Sequence, residues 1–189
     1  MRRISAIALA LFALACNCFA QERLLDRVPQ LQETARRANG GELGCGVGFF
    51  TLITSRGEVK ASGGLDPVQV FGRTIKVADL LPLLEARAAF NHSGAANPMS
   101  GQVTDLTFVV LYTLARAKDP DSISVIAELL KDREDGIRGW AAIALYDIAK
   151  SDEGLKAKIQ KIEFPESAVV SARGRGNPPP DWVRIAPDI

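Results

Sequence analysis

One pattern occurs twice in this chain, and its recurrence restricts the fold more than any other feature. Val103-x-x-Leu106-x-x-Val109-Val110-Leu111-Tyr112-x-Leu114-Ala115-Arg116 aligns with Ile137-x-x-Trp140-x-x-Ile143-Ala144-Leu145-Tyr146-x-Ile148-Ala149-Lys150. The second copy starts 34 positions after the first (137 against 103), with no gap. Apolar residues recur at intervals of three and four, the period of a helix that buries one stripe. A fixed period of this length marks stacked helical pairs. Ala115 and Ala149 occupy the same point of the pattern, where a small side chain lets helices approach closely. Asp119-Pro120 stops the first copy and starts the next helix.

The stretch between the copies completes the unit. Asp121-Ser122 is placed to cap a helix carrying Ile123, Ile126, Leu129 and Leu130, and Asp132–Gly136 is a polar turn. Ile137, Trp140, Ala141, Ala144 and Ile148 then form the stripe of the second helix. On these residues, the segment Asp132–Asp152 resembles the second half of a HEAT-like (armadillo-type) repeat, of the short kind also found in phycobilisome lyases. The resemblance covers about residues 103–162, roughly a third of the chain. It implies a mainly α fold, a HEAT-like α-α solenoid, whose inner helices line a binding surface.

Opposite the core stripe, Phe108-Tyr112-Arg116 and Ala142-Tyr146-Lys150 form equivalent i, i+4, i+8 rows, which Thr104 and Arg138 extend. Stacking would set the rows side by side as an aromatic–basic ridge suited to protein recognition. Phe108, Tyr112, Arg116, Arg138, Tyr146 and Lys150 are therefore the candidate partner-binding residues. The competing reading packs this face against a neighbouring element.

Residues 1–20 read as a secretory signal peptide: Arg2-Arg3, an apolar run too short to span a bilayer, and a Cys18-Phe19-Ala20 cleavage site. This places the protein in a periplasm or outside the cell; lipidation at Cys16 is the alternative. Taking 20 residues from 189 leaves 169, one domain's worth. Two arginines leave with the leader, so 21 basic side chains face 22 acidic ones, net −1. That balance argues against a nucleic-acid or anionic-membrane binder, and no integral membrane segment is expected after leader removal. Cys45 is then the only cysteine, either buried or paired between chains.

The first domain is read as residues 21–163 and a Pro/Gly-containing tail as 164–189. In order, the domain holds a helix over 22–39 with Glu33 and Arg37 as an i,i+4 pair, then a small antiparallel β element. Its strands are Phe49–Ile53 with Val59–Ser62, and Val68–Phe71 with Thr74–Val77. A helix over 80–90 follows, capped by Asp79 with Pro82 in its first turn, then a polar loop over 91–102. In the tail, Pro178-Pro179-Pro180 predicts an extended segment with Trp182 and Ile185 as anchors.

Chemical motifs are scarce. Gly44-Cys45-Gly46-Val47-Gly48 follows a helix and precedes a strand, the reverse of a phosphate loop. His92 is the only histidine, so a His-based metal site has no second member. Asp132–Gly136 begins like a calcium loop, but position twelve is Ile143. No catalytic, cofactor or metal residue is assigned. The sequence points to a protein–protein interaction module or scaffold whose partner is another protein or peptide; the alternative is an envelope hydrolase using carboxylates near the 91–102 loop.

Overall fold

The computed structural model describes residues 23–43, 47–92 and 104–188, a mainly helical chain with a small sheet. The leader with Cys16, the residue Cys45 and most of the 91–102 loop lie outside the described residues. A turn of 3-10 helix, Leu24–Arg27, leads into α1 (Val28–Asn39), with Pro29 in the first turn, where its missing N–H costs nothing. Leu24, Leu31 and Ala35 are buried, and Val28 and Ala38 pack beside them. Glu33 pairs with Arg36 at 2.8 Å rather than with Arg37, which reaches Glu42 at 3.1 Å.

Strands β1 (Gly48–Thr54) and β2 (Gly57–Gly63) form the expected hairpin around Ser55-Arg56. The second expected hairpin does not form. Asp66 accepts the Val68 N–H at 2.9 Å and Pro67 fixes the first helical φ, so Pro67–Phe71 becomes a helical turn, α2. Gly72, at φ 71°, ends it in the left-handed cap that glycine tolerates. Cap, proline and stop outweigh the β preference of Val68 and Val70. Only Ile75–Lys76 remains a strand (β3), parallel to β1, so the sheet is mixed, in the order β2-β1-β3.

Helix α3 (Val77–His92) starts two residues before Asp79. Asp79 therefore pairs with Arg73 at 3.1 Å instead of capping, and Pro82 lies inside the helix. The helix also takes in Asn91 and His92, which were read as loop. Then follow α4 (Thr104–Ala117), α5 (Ser122–Glu128) with a 3-10 turn at Leu129–Lys131, α6 (Asp135–Ala149) and α7 (Glu153–Ile159). The repeat is thus two longer helices, α4 and α6, each followed by a short one. Leu106, Val109, Val110, Leu111, Leu114 and Ala115 of α4 are buried, as are Ile143, Ala144, Leu145, Ile148 and Ala149 of α6. Asp121 makes no side-chain cap; the turn before α5 is held by Asp119, which accepts the Asp121 N–H at 2.9 Å.

The segment read as a tail folds onto the rest. Strand β4 (Glu163–Pro165), helix α8 (Glu166–Gly174) and strand β5 (Arg184–Ala186) follow, with β5 parallel to β4. The helices pack in a row: α1 on α4, α4 on α6, α6 on α8, with α3 and α5 lying across α4 and α6. At α6–α8 the contact is close because Gly139 has no side chain; a Cβ there would meet Ser171. No helix among the described residues is long and apolar enough to cross a membrane.

Candidate functional site

The two rows of the predicted ridge meet different fates. Tyr146 is 2% exposed, enclosed by Phe164 and Trp182 at ring-centre distances of 5.5 and 6.2 Å. Its neighbour in the row, Ala142, is fully buried. Burial pushes the Tyr146 hydroxyl up to about 12, against a smaller opposing effect of Arg173. Tyr146 is therefore core, covered by the segment after α7, and cannot contact a partner. Trp182 is an anchor on the chain's own domain, whereas Ile185 stays half exposed.

Arg138 also leaves the ridge. Its guanidinium donates to the carbonyls of Asp132 and Arg133 at 2.8 and 3.1 Å and pairs with Asp135 at 2.8 Å. It closes the turn into α6 and lines a different cleft, beside Glu163, Ser167 and Asp188. The side chain of Thr104 lies outside the described residues. Lys150 is exposed and pairs with Asp147 at 3.4 Å.

The α4 row does line an open groove. Between α4 and α6 lies a depression of about 230 Å³ bounded by Phe108, Leu111, Tyr112, Ala115 and Arg116 on one side. Trp140, Ile143, Ala144 and Asp147 bound the other, with Asn177 at the margin. Phe108 packs on Trp140 at 4.5 Å between ring centres, and on Tyr112 at 6.2 Å. Tyr112 is fixed by the sheet: its hydroxyl lies where a Cβ of residue 63 would be, so only glycine at the end of β2 admits it. That hydroxyl is sealed without a partner among the described residues, leaving the ring to form the wall. Arg116 lies over the ring at 5.1 Å. The contributions of Trp140, Ile143 and Ala144 were missed because their spacing assigns them to the core stripe. Stacking places that edge of α6 beside the open face of α4.

A second polar cluster lies at the turn into α6. Asp132, fully buried at its side chain, receives Arg87 through both guanidinium edges at 2.8 and 2.7 Å. Asn91 and the Glu134 N–H donate to it at 2.7 and 2.8 Å. Burial alone would raise the Asp132 carboxyl, but the hydrogen bonds from Arg87, the Glu134 N–H and Asn91, with the Arg87 charge, hold it below its ordinary value. Both oxygens are occupied, so this carboxylate is a structural clamp and has no lone pair aimed at a reactant. Asp119, 1% exposed, similarly ties the α4–α5 turn to the hairpin tip, accepting the Ser55 N–H at 2.8 Å and its hydroxyl at 3.1 Å.

No group of three or more His, Cys, Asp or Glu suited to a metal ion occurs among the described residues. Compared with the models of known families, with curated proteins and with solved structures, the chain matches none.

Proposed function

We propose that this protein is an exported, HEAT-like protein-interaction module that holds a segment of another protein in the α4–α6 groove and has no catalytic role of its own. The observation that carries this reading is the groove: three aromatic rings and an exposed arginine around an apolar floor, the composition enriched at protein interfaces. Its volume of about 230 Å³ falls below the range of about 300–1,000 Å³ usual for small-molecule sites and suits one or two inserted side chains. The occupied state of Asp132 removes one buried carboxylate near residues 91–102 from use as a general base, which disfavours the hydrolase alternative.

The test is affinity capture from envelope extract, using the full-length chain expressed and processed in cells. A parallel bait carries Phe108→Ala with Tyr112→Ala, its fold checked by circular dichroism. A protein retained by the parent and lost by the variant supports the reading; equal retention by both moves the binding surface elsewhere. N-terminal sequencing of the purified protein tests export, for which a start near Gln21 is expected.

A further inference from the structure

The surroundings of Arg116 narrow the chemistry of the partner. Its side chain is exposed and makes neither a hydrogen bond nor an ion pair with any described residue; its one contact is the Tyr112 ring. A guanidinium stacked on an aromatic face is held in position while its N–H edge stays open to a planar anion. The other ionised residue on the groove, Asp147, is already met by Lys150 at 3.4 Å. The rim therefore presents one positive charge without a counterion. Beside it, Trp140 lines the groove, and its indole N–H donates to no described residue, leaving a donor for a backbone carbonyl.

Resting on the groove reading above, we propose that the groove takes an acidic peptide segment. An aromatic or long aliphatic side chain of that segment lies against Phe108, Trp140 and Ile143, and a neighbouring carboxylate pairs with Arg116. The apolar floor supplies the attraction and the arginine supplies the selection. A basic segment would place like charge against Arg116, and an uncharged one would leave the guanidinium unpaired.

The experiment uses the full-length, processed protein and fluorescein-labelled short peptides of matched length, one alternating phenylalanine with aspartate and one alternating phenylalanine with lysine. Binding is read by fluorescence anisotropy at low and moderate salt. The expected result is a preference of about tenfold or more for the aspartate peptide, weakening as salt rises. Arg116→Glu should reverse that preference, and Arg116→Gln should abolish it while keeping the side chain's size. Arg116 is exposed, so both variants should fold; circular dichroism checks this. Equal binding of the two peptides, or an aspartate preference that survives Arg116→Glu, overturns the assignment of charge. Binding of neither peptide overturns the proposal as well. In each failure, a natural partner still lost by the Phe108→Ala, Tyr112→Ala bait would leave the groove reading standing, whereas its absence would remove both.

Discussion

Helices α4 and α6 carry the same sequence pattern, yet Tyr112 borders an open groove and Tyr146 sits in the core. Nothing in the helices themselves accounts for the difference. It arises from what comes after each. The α4 copy has α6 as its neighbour, leaving a furrow between them. The α6 copy is followed by β4, α8 and β5, which bring Phe164 and Trp182 down on Tyr146. A helix face in a repeat is therefore functional or structural according to its place in the stack, and the same residue type serves both ends.

The largest expected effect follows directly. Tyr146→Ala empties a site enclosed by two aromatic rings and should lower stability by about 3–5 kcal/mol. Tyr112→Ala removes a ring that is partly exposed and whose hydroxyl makes no hydrogen bond, and should cost less than half as much. Urea denaturation of both variants checks this. Equal losses would show that the two copies are buried alike and would remove the groove.

The turns around the two helices differ in the same spirit. Asp132 is bound by a buried cation, Asp119 only by hydroxyl and N–H donors. Asp132→Ala strands Arg87, 5% exposed, without its partner and should cost about 3–5 kcal/mol. Asp119→Ala should cost about 1–3 kcal/mol. The Asp132 carboxyl is held below its unfolded value of 3.8, so the unfolded chain takes up its proton first as pH falls. The stabilisation is present above the unfolded value and is lost as pH drops through the folded one. Thermal melts taken downward from neutral pH should therefore fall less steeply for Asp132→Asn than for the parent.

The helical repeat was legible because apolar spacing reports directly on a buried stripe. The groove was half legible: Phe108, Tyr112 and Arg116 belong to it, while Tyr146 and Arg138 do not. Periodicity states which residues share a face, and leaves open what covers that face. The cover here is Phe164 and Trp182, separated from Tyr146 by 18 and 36 positions of chain, and Pro178-Pro179-Pro180 hid the helix and strand around them. The failed hairpin has a local cause. Asp66-Pro67 and Gly72 are helix punctuation, and they were outweighed in the reading by valines that favour strands. Arg138 was misplaced because a turn's carbonyls attract an arginine that the helical wheel sends outward.

A third test touches the element that makes the copies unlike. Gly139 of α6 lies against Ser171 of α8, including its main chain at 3.1 Å. Gly139→Ala should push α8 outward and cost about 1–3 kcal/mol, a net loss despite alanine's better helix propensity. The corresponding position in α4 is Asp105, whose side chain bonds Gln32 and Asn39 of α1 at 3.4 and 3.1 Å. Hydrogen exchange should show faster exchange in α8 of Gly139→Ala, with α1 unchanged. Uniform change across both ends would mean that the row of helices responds as one unit and that the cover over Tyr146 has no separate stability.

The smallest effect is expected at Arg116, and its smallness is informative. The side chain is exposed and contributes one cation–π contact, worth about 0.5–1 kcal/mol at most in such a position. Arg116→Ala should change stability by less than about 1 kcal/mol, within reach of the ordinary scatter of surface substitutions. Its expected effect on peptide selection is about tenfold, which corresponds to about 1.4 kcal/mol of binding. A residue that matters more to binding than to folding is what an open face predicts, and Tyr146 should show the opposite ratio. If Arg116→Ala instead unfolds the chain by several kcal/mol, the guanidinium is part of the scaffold, and the contrast between the α4 and α6 copies is one of degree.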